Sequence, residues 1–325
     1  SEEKDSSAVP EIGSYGYSAH VQDIGWQGYV SKGDTAGTTG KARRIEALKV
    51  KLTGEDGMLL SSDSVQVKSH IADLGWESKW VGNNQISGTV GKSRAVEAVK
   101  IKLSDTLSSK YDIWYRVHSA SFGWLGWARN GETAGTEGYA RQVEAIQILV
   151  LPKDSSEAPQ HGNSNINRSD EAPSIKYRTH LSNVGWGKYS KDGSSSGSSS
   201  RSNSIEAIQC AASWYGHSGE VQMRGHISGL GWQSWSNSFV GSTGKGRNLE
   251  AVQIKLSGDL ASQYNVWYRV KSSDLGGWLG WAANGEPCGS TGKSAPIQTV
   301  EIRLVKKGGN APGATDRHFV GDADI

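Results

Sequence analysis

Several residue types and patterns are scarce in this chain. Among its 325 residues are only 2 Cys, 7 Pro, 3 Phe and 2 Met. The formal charge is +2, so the chain lacks the basic excess typical of nucleic-acid binding, and we expect no nucleic-acid partner. No apolar run approaches the length of a membrane span, so we expect no insertion into a bilayer.

Tryptophan and glycine are abundant by contrast, with 13 Trp and 42 Gly. A Gly-Trp pair recurs along the chain, with Trp-to-Trp spacings of 50, 48, 62, 46 and 46 residues. Self-similarity at a nearly fixed spacing indicates a repeat architecture. The tryptophans of these pairs, one in each of six copies, are Trp26, Trp76, Trp124, Trp186, Trp232 and Trp278.

Each copy follows one scheme. A strand-like segment ending in histidine precedes the Trp, a glycine-rich turn follows it, and an apolar-charged run such as residues 45–52 closes the copy. Alternation from Leu48 onward is typical of a strand with one buried face. Ile45 and Ala47 are out of phase with Leu48, which predicts a β-bulge near Glu46.

The copies are related in the order ABC-ABC. Copies three and six share Trp-Tyr-Arg-Val at residues 114–117 and 267–270, and copies two and five share Val-Gln at 65–66 and 221–222. This pattern indicates duplication of a three-repeat unit. The stretch between the halves is rich in Ser, Asn, Pro and charge, a composition typical of linkers.

We therefore predict an all-β chain of two pseudo-threefold domains, each with three repeats of about 45–50 residues. A closed threefold arrangement removes exposed sheet edges, which favours a β-prism-like fold, with a trefoil-like fold as the alternative. The predicted boundaries are a tail at 1–14, a domain at 15–151, a linker at 152–174, a domain at 175–305, and a C-terminal tail or linker at 306–325.

The two cysteines take positions that other copies fill with apolar residues. Siblings of Cys210 include Val50 and Ile101, and siblings of Cys288 include Ala36 and Ala134. Free cysteine behaves as a small apolar residue in protein cores. We therefore expect two free buried thiols, with a disulfide between them as the alternative.

Two aromatic positions in each copy have different expected roles. The first is the Trp of the Gly-Trp pair, which is the best candidate for a core anchor because an indole buries much apolar area. The second follows three or four residues later, and strand alternation would place it on the opposite, outward face. These candidate ligand-binding residues are Tyr29, Trp80, Trp127, Tyr189, Trp235 and Trp281.

Histidine, arginine and glutamate recur together in most copies, as in His20, Arg43 and Glu46. Copy six has lost all three, which predicts that they contact one another. The first interpretation is a partly buried polar cluster, because a buried carboxylate needs partners. The alternative is a pocket for an anionic ligand around the arginine of each such copy, at Arg43, Arg94, Arg141 and Arg247.

Catalysis normally needs a unique set of differing residues, whereas the polar residues here recur in nearly every copy. We therefore expect no enzymatic activity and no cofactor. The histidines come one per copy with no short-spaced His/Cys cluster, so no metal site is predicted.

The recurring frame of His, Gly-Trp, a Gly-Thr-x-Gly turn and an (Ile/Val)-Glu-Ala-(Ile/Val) run resembles the ChW family, the clostridial hydrophobic repeats with a shared Trp. The resemblance covers nearly all of 15–151 and 175–305. It implies extracellular or cell-surface proteins of Gram-positive, mostly anaerobic bacteria that act in adhesion or polymer binding. Copy six, with Lys271 and Gln298, departs from the frame, and so does copy four, with Ser200 in the turn.

Three functions remain open from the sequence. Outward aromatics in repeated copies favour a multivalent module that binds a host or cell-wall glycan, including mucin-type glycans, because repeated weak sites gain avidity. The alternative is an adhesin for a host protein such as immunoglobulin or mucin polypeptide, because a broad aromatic-rich β-surface is of the kind that carries binding hot spots. The third interpretation is a rigid spacer with no ligand.

Overall fold

The structure is a computed structural model that describes residues 9–321. Its contacts divide the chain into two units, Ser1–Arg168 and Ser169–Ile325. Each unit contains three copies of the repeat, and each copy contributes one long antiparallel hairpin and several short strands. The fold is all-β, as predicted.

The strands of the first unit are β1 (Ser14–Val21), β2 (Gly25–Trp26), β3 (Ala36–Gly37), β4 (Ile45–Thr53), β5 (Val65–Ile71), β6 (Gly75–Trp76), β7 (Ser87–Gly88), β8 (Val96–Leu103), β9 (Tyr111–Ser119), β10 (Gly123–Trp124), β11 (Ala128–Arg129), β12 (Ala134–Glu137), β13 (Val143–Pro152) and β14 (Asn165–Asn167). Its one described α-helix is α1 (Asp105–Ser108), and a 3-10 turn spans Arg168–Asp170 at the boundary between the units.

The strands of the second unit are β15 (Ser174–Leu181), β16 (Gly185–Trp186), β17 (Ser190–Lys191), β18 (Ser196–Gly197), β19 (Ile205–Ser213), β20 (Val221–Ile227), β21 (Gly231–Trp232), β22 (Phe239–Gly241), β23 (Leu249–Leu256), β24 (Tyr264–Ser272), β25 (Gly277–Trp278), β26 (Ala282–Ala283), β27 (Cys288–Ser290), β28 (Thr299–Lys306) and β29 (Phe319–Val320). Helix α2 (Gly258–Gln263) and 3-10 turns at Arg201–Asn203 and Ser273–Leu275 complete it.

The long hairpins are β1/β4, β5/β8 and β9/β13 in the first unit, and β15/β19, β20/β23 and β24/β28 in the second. Their apolar residues alternate with polar ones, as in the strictly alternating burial of β5. In the β1/β4 hairpin Val21 pairs with Ile45 and His20 with Ala47, so Glu46 is the extra residue of a bulge. The predicted bulge is therefore confirmed, and it recurs in copies two to five.

Neighbouring repeats are joined by exchange of one short strand. Strand β7 of copy two pairs with β4 of copy one, and β12 of copy three pairs with β8 of copy two. Strand β3 of copy one then pairs with β13 of copy three, which closes the cycle. The second unit closes in the same way, through β22 on β19, β27 on β23 and β18 on β28.

A glycine in each exchanged strand makes this closure possible. Gly37 has φ +102°, and a Cβ there would lie 2.3 Å from the carbonyl oxygen of Glu144 in the facing strand. The same holds for Gly88, where a Cβ would lie 2.5 Å from the carbonyl oxygen of Glu46. Positive φ and direct backbone contact both exclude a side chain at this point.

The core of each unit lies between its three sheets and consists mainly of Val, Ile, Leu and Ala. Its largest fully buried side chains are the tyrosines of copies one, three, four and six: Tyr17, Tyr115, Tyr177 and Tyr268. Each hydroxyl donates to a main-chain carbonyl, those of Asp34, Glu132, Ser194 and Glu286 in turn. Copies two and five have Val67 and Met223 instead, so the ABC-ABC order extends into the core.

The first Trp of each copy does not serve as the core anchor that the sequence analysis predicts. Trp26, Trp76, Trp124, Trp232 and Trp278 are only partly buried, and Trp186 is 37% exposed. Cross-strand pairing is the reason: Trp26 pairs with His20 and Trp278 with Lys271, and residues directly opposite each other in an antiparallel pair share one face, here the outer one.

The segment expected to be a linker at 152–174 is largely folded onto the first unit. Asn165–Asn167 add a parallel strand to the edge of β12, and the amide of Gly126 donates to Asn163 at 2.9 Å. In the expected C-terminal tail, Phe319–Val320 pair with β27 in the same manner. We call residues 155–167 and 310–321 the trailing segments, because each follows the third copy of its unit.

Both cysteines are free and buried, as predicted. Each lies within the core cluster of the second unit. Burial raises the pKa of the Cys288 thiol to about 12, and burial also raises the pKa of Cys210. Since the thiolate is the reactive form, both thiols are protected by their surroundings.

We expect Gly37→Ala to lower the free energy of unfolding by roughly 3 kcal/mol or more, because a Cβ there meets the facing backbone as well as an unfavourable φ. Gly40→Ala is the matched control: it has φ +68° with no atom near the added Cβ, and should cost about 1 kcal/mol. Urea unfolding followed by circular dichroism measures both. Equal losses would contradict the close contact at Gly37.

We also expect Cys210 and Cys288 to resist alkylation by iodoacetamide at pH 8 in the folded protein and to react fully in denaturant, because burial keeps both protonated. Mass spectrometry of the modified protein measures the outcome. Rapid labelling of either cysteine under native conditions would show that the second core opens readily.

Candidate functional site

A histidine and a glutamate meet at the bulge of five copies. The Nδ1 atoms lie 3.1–3.2 Å from a carboxylate oxygen of the paired glutamate, and both side chains are largely buried. The pairs are His20–Glu46, His70–Glu97, His118–Glu144, His180–Glu206 and His226–Glu250. The part of the prediction that joined His to Glu therefore agrees with the structure.

The expected arginine is not part of this pair. Arg43 donates to the carbonyl of Gln22 at 3.0 Å, and Arg94 donates to the carbonyl of Ala72 at 3.0 Å, each beside a turn aspartate. Arg247 donates to Ser228, and Arg141 is exposed. The arginine one residue later can reach the carboxylate, since Arg44 donates to Glu46. Three of the four predicted pocket arginines therefore donate to main-chain carbonyls of turns, and the anion-binding role of all four stays a prediction.

Each of these histidines also packs its ring against the edge of the first Trp. The ring centroids are 5.4–5.5 Å apart and the rings are nearly perpendicular. Edge-to-face contact is a favoured aromatic geometry. The glutamate at the bulge therefore positions the histidine, and the histidine positions the Trp on the outer face.

The two aromatics of each copy share this outer face, which corrects the prediction that they point to opposite faces. In copy three the guanidinium of Arg116 lies 4.9 Å from the centroid of Trp124 and 4.8 Å from that of Trp127. Copies four, five and six hold a guanidinium between their two rings in the same way, through Arg178, Arg224 and Arg269. The irregular loop between the two aromatics breaks the alternation on which the prediction depended.

The intervening arginine is held by its neighbour on the second long strand. Arg116 donates to Gln147 at 2.8 Å, and Arg269 donates to Glu301 at 2.7 Å. Copies one and two place the cation on that second strand instead, with Lys49 over Trp26 at 4.6 Å. Lys100 lies over Trp76 at 4.7 Å in copy two. The strand that provides the cation therefore differs between copies, but the cation contacts the ring of the first Trp in all of them.

A lysine also lies over the second aromatic in copies one, two, four and five. The distances from the ammonium to the ring centroid are 4.1, 4.7, 5.3 and 4.2 Å in those copies. The pairs are Lys51–Tyr29, Lys102–Trp80, Lys176–Tyr189 and Lys255–Trp235. Tyr29 is 42% and Tyr189 43% exposed, and the two tryptophans are partly exposed. We call these four sites the lysine–aromatic pairs.

Copies three and six differ because the trailing segments lie against their second aromatic. Trp281 is only 5% exposed, and its amide donates to Ala314 at 2.9 Å. Trp127 is partly buried and forms a bridge with His161. Trp281 thus lies on the outer face, but the expectation that it is exposed there is wrong, since residues downstream of the repeat cover it.

A repeated apolar residue escaped the sequence analysis. It lies at the tip of the turn between the first long strand and the Gly-Trp pair, and it is 39–64% exposed in five copies. The residues are Ile24, Leu74, Phe122, Val184 and Leu230. The sequence could have revealed them, since each lies two residues before the first Trp of its copy. An apolar residue exposed at a turn has no packing reason to recur, so its recurrence indicates another role.

Within residues 9–321 no group of three or more His, Cys, Asp or Glu residues could hold a metal ion. The same residues include no helix long and apolar enough to cross a membrane. Open concavities do occur beside the outer aromatics, including one of about 410 Å³ lined by Leu74, Trp76 and Lys79.

The family model of clostridial hydrophobic W repeats, ChW, matches the chain six times, at residues 20–54, 70–105, 118–152, 180–211, 226–258 and 276–306. The chain belongs to the ChW family. Neither the curated proteins nor the solved structures compared with it yield a match. Each ChW match begins at or near the end of the first long strand, so it contains the Gly-Trp pair, the exchanged strand and the closing strand of its copy.

The structure explains why five of the ChW matches begin at a histidine. The His that opens five of the matches is the residue that orients the Trp from which the family takes its letter. In copy six, where the match begins at residue 276, Lys271 and Gln298 replace His and Glu, and the pairing of the long strands runs without a bulge. The feature that all six ChW matches share is therefore the Gly-Trp pair with its outer-face aromatic, which is not a core residue.

We expect Arg116→Met to lower the stability of the first unit by roughly 1–2 kcal/mol, because it removes a cation between two indoles and its bond to Gln147. Lys68→Met is the matched control, since Lys68 has the same strand position in copy two, where Lys100 provides the cation; it should change stability by less than about 0.5 kcal/mol. Urea unfolding measures both. Equal effects would show that the stack contributes nothing.

Proposed function

We propose that this ChW protein is a non-catalytic module of the bacterial cell surface that binds acidic glycans of the host or of a cell wall through several equivalent sites. The observation that carries the proposal is the set of four lysine–aromatic pairs on the outer faces of copies one, two, four and five. The extracellular location comes from the family resemblance and is part of the proposal.

The chemistry of a lysine–aromatic pair suits an acidic sugar. An aromatic ring offers a flat apolar surface to the apolar face of a pyranose, and the nearby ammonium supplies a partner for a carboxylate or sulfate. Lys51 and Tyr29 combine both features, and the hydroxyl of Tyr29 donates to Asn84 of the next copy at 2.5 Å. That bond fixes the ring, so less side-chain entropy would be lost on binding.

Repetition compensates for the weakness of each open site. A single exposed ring with one ammonium gives low affinity, but linked sites on one polymer act at a high effective concentration. Each unit has two lysine–aromatic pairs, in copies one and two and in copies four and five. A polymeric ligand with repeated acidic groups would therefore be favoured over a free monosaccharide.

The test is binding of residues 1–325 to an array of sialylated, uronate-containing and sulfated glycans and to purified cell-wall polymers. We expect the variant Tyr29→Ala, Trp80→Ala, Tyr189→Ala, Trp235→Ala to lose at least tenfold in apparent affinity, since it removes all four rings and the avidity they share. Tyr29→Phe with Tyr189→Phe keeps both rings and should retain binding. Met58→Ala, an exposed apolar change at 70% exposure outside these pairs, is the second control.

Two results would overturn the proposal. One is the absence of retention of any acidic glycan or polymer by the unaltered protein. The other is unchanged retention by the fourfold Ala variant when its circular dichroism matches that of the unaltered protein. Salt dependence gives a further readout, because the ammonium contribution should weaken as ionic strength rises.

A host protein is the second candidate partner, and the exposed turn-tip residues favour it. Ile24 and Leu74 in the first unit and Val184 and Leu230 in the second present aliphatic side chains to solvent, which suits a protein surface better than a sugar. Changing these four residues to Ser should abolish binding to such a partner and leave glycan retention intact. Binding that survives complete deglycosylation of the captured partner would decide for this candidate.

A further inference from the structure

In five copies the glycine of the exchanged strand donates its amide to a group outside the strand with which it pairs. In three copies the side chain that follows the first Trp accepts from this amide. Gln27 accepts from Gly37 at 2.6 Å, Glu77 accepts from Gly88 at 2.8 Å, and Gln233 accepts from Gly241 at 2.6 Å. In copies one and five the same side-chain amide also donates to the carbonyl of its glycine at 3.3 Å. We call this arrangement the side-chain cap.

Copies three and six have leucine at the capping position and use a strand instead. With Leu125 there, the amide of Gly135 donates to the carbonyl of Ser164 at 2.9 Å. With Leu279 there, the amide of Gly289 donates to the carbonyl of His318 at 3.0 Å. In both copies the trailing segment continues as a parallel strand along this edge. The same edge therefore accepts either a polar side chain or an extended polypeptide.

Copy four has neither cap. Gly187 occupies the capping position and has no side chain to accept a bond. Strand β18 forms the outer edge of its sheet within the described residues, and Gly197 is exposed. The exposed Trp186 and Tyr189 flank Gly187 in the sequence. An uncovered strand edge is a ready template for another strand.

We infer that the edge of β18 is an acceptor site for an extended segment of a partner polypeptide, which adds to it as a parallel strand. The two trailing segments define the chemistry of that segment. Their strands pair Ile166 with Thr136 and Val320 with Ser290, and both branched residues pack against their core clusters. The partner segment would thus bring a β-branched residue opposite Ser198, the corresponding residue of copy four, and a carbonyl to the amide of Gly197.

The residue two positions after the first Trp limits where the partner strand can begin, because in copies three and six the trailing segment lies directly against a glycine there. A Cβ at Gly126 would lie 2.5 Å from Gly162, and one at Gly280 would lie 2.1 Å from the carbonyl oxygen of Asp316. Copy four carries Lys188 at this position. A partner strand would therefore not follow the loop as the trailing segments do, and its first main-chain bond would be the one at Gly197.

The experiment uses the full chain labelled with ¹⁵N-glycine and a synthetic peptide with the sequence of residues 162–168, Gly-Asn-Ser-Asn-Ile-Asn-Arg. We expect the peptide to shift the Gly197 amide signal and to slow its hydrogen exchange, with weak affinity because a short peptide loses much entropy on ordering. The peptide should not displace the covalently linked trailing segment from Gly135, whose effective concentration is far higher.

Substitutions at residue 187 distinguish peptide binding at the β18 edge from nonspecific binding of the peptide elsewhere on the protein surface. Gly187→Gln should restore the side-chain cap and weaken peptide binding at least tenfold, whereas Gly187→Ala should bind like the unaltered protein. Both changes are compatible with the fold, since Gly187 is exposed and a Cβ there would meet only the carbonyl of Thr179 at 3.6 Å. A peptide carrying Pro in place of Ile166, whose amide faces the edge in this parallel register, or Asp at the same position, should not bind. Equal binding by the Gln and Ala variants, or no protection of Gly197 by the peptide at millimolar concentration, would overturn the inference.

Discussion

The contact between a glycine of one repeat and the bulge of the preceding repeat is the constraint on which each unit depends. The amide of Thr89, the residue after Gly88, donates to the carbonyl of Glu46 at 2.8 Å, and Gly88 lies directly against that carbonyl. No repeat completes its own sheet, because the short strand beside the second long strand of every sheet comes from a neighbour. The free energy of unfolding of each unit therefore comes from its three copies together, because most of the buried area depends on all three being present.

The same glutamates connect the closure of the core to the outer face. The carbonyl of Glu46 accepts the exchanged strand, while its carboxylate meets His20, against which Trp26 packs. A residue that serves both the main-chain junction and the side-chain contact explains why the bulge recurs in five copies. It also explains how a partly exposed indole keeps a fixed orientation without being a core residue. A surface whose aromatic rings are pre-ordered loses less entropy on binding.

The sequence was sufficient to predict the all-β class, the six copies, the ABC-ABC order and the bulge at Glu46, because each depends on local alternation or on comparison between copies. It was misleading for Trp26 and its equivalents, since a large apolar side chain is assigned to the core unless its pairing with the outward-facing His20 is known. The expected exposure of Trp281 was wrong for a different reason: residues downstream of the repeat cover it, and no periodicity within the repeat records a contact made from outside it. The residue after the first Trp could have been compared between copies in the sequence, which shows Gln27 and Gln233 in copies one and five. Their role as caps could not have been predicted, because it depends on where the glycine of the exchanged strand lies in space.

Cyclic strand exchange also determines how such a protein can change over evolutionary time. An open-ended solenoid gains or loses one repeat at a time, since each repeat only needs a neighbour on one side. Here the third copy must return its edge to the first, so insertion of a single extra copy would leave one strand without a sheet and one sheet without its last strand. Growth by whole triplets avoids that conflict, and the closer likeness between copies three and six than between adjacent copies is the expected trace of such an event. Within a triplet the copies are then free to diverge in their outer faces, which is how copy four can lose its cap while the ring of sheets remains closed.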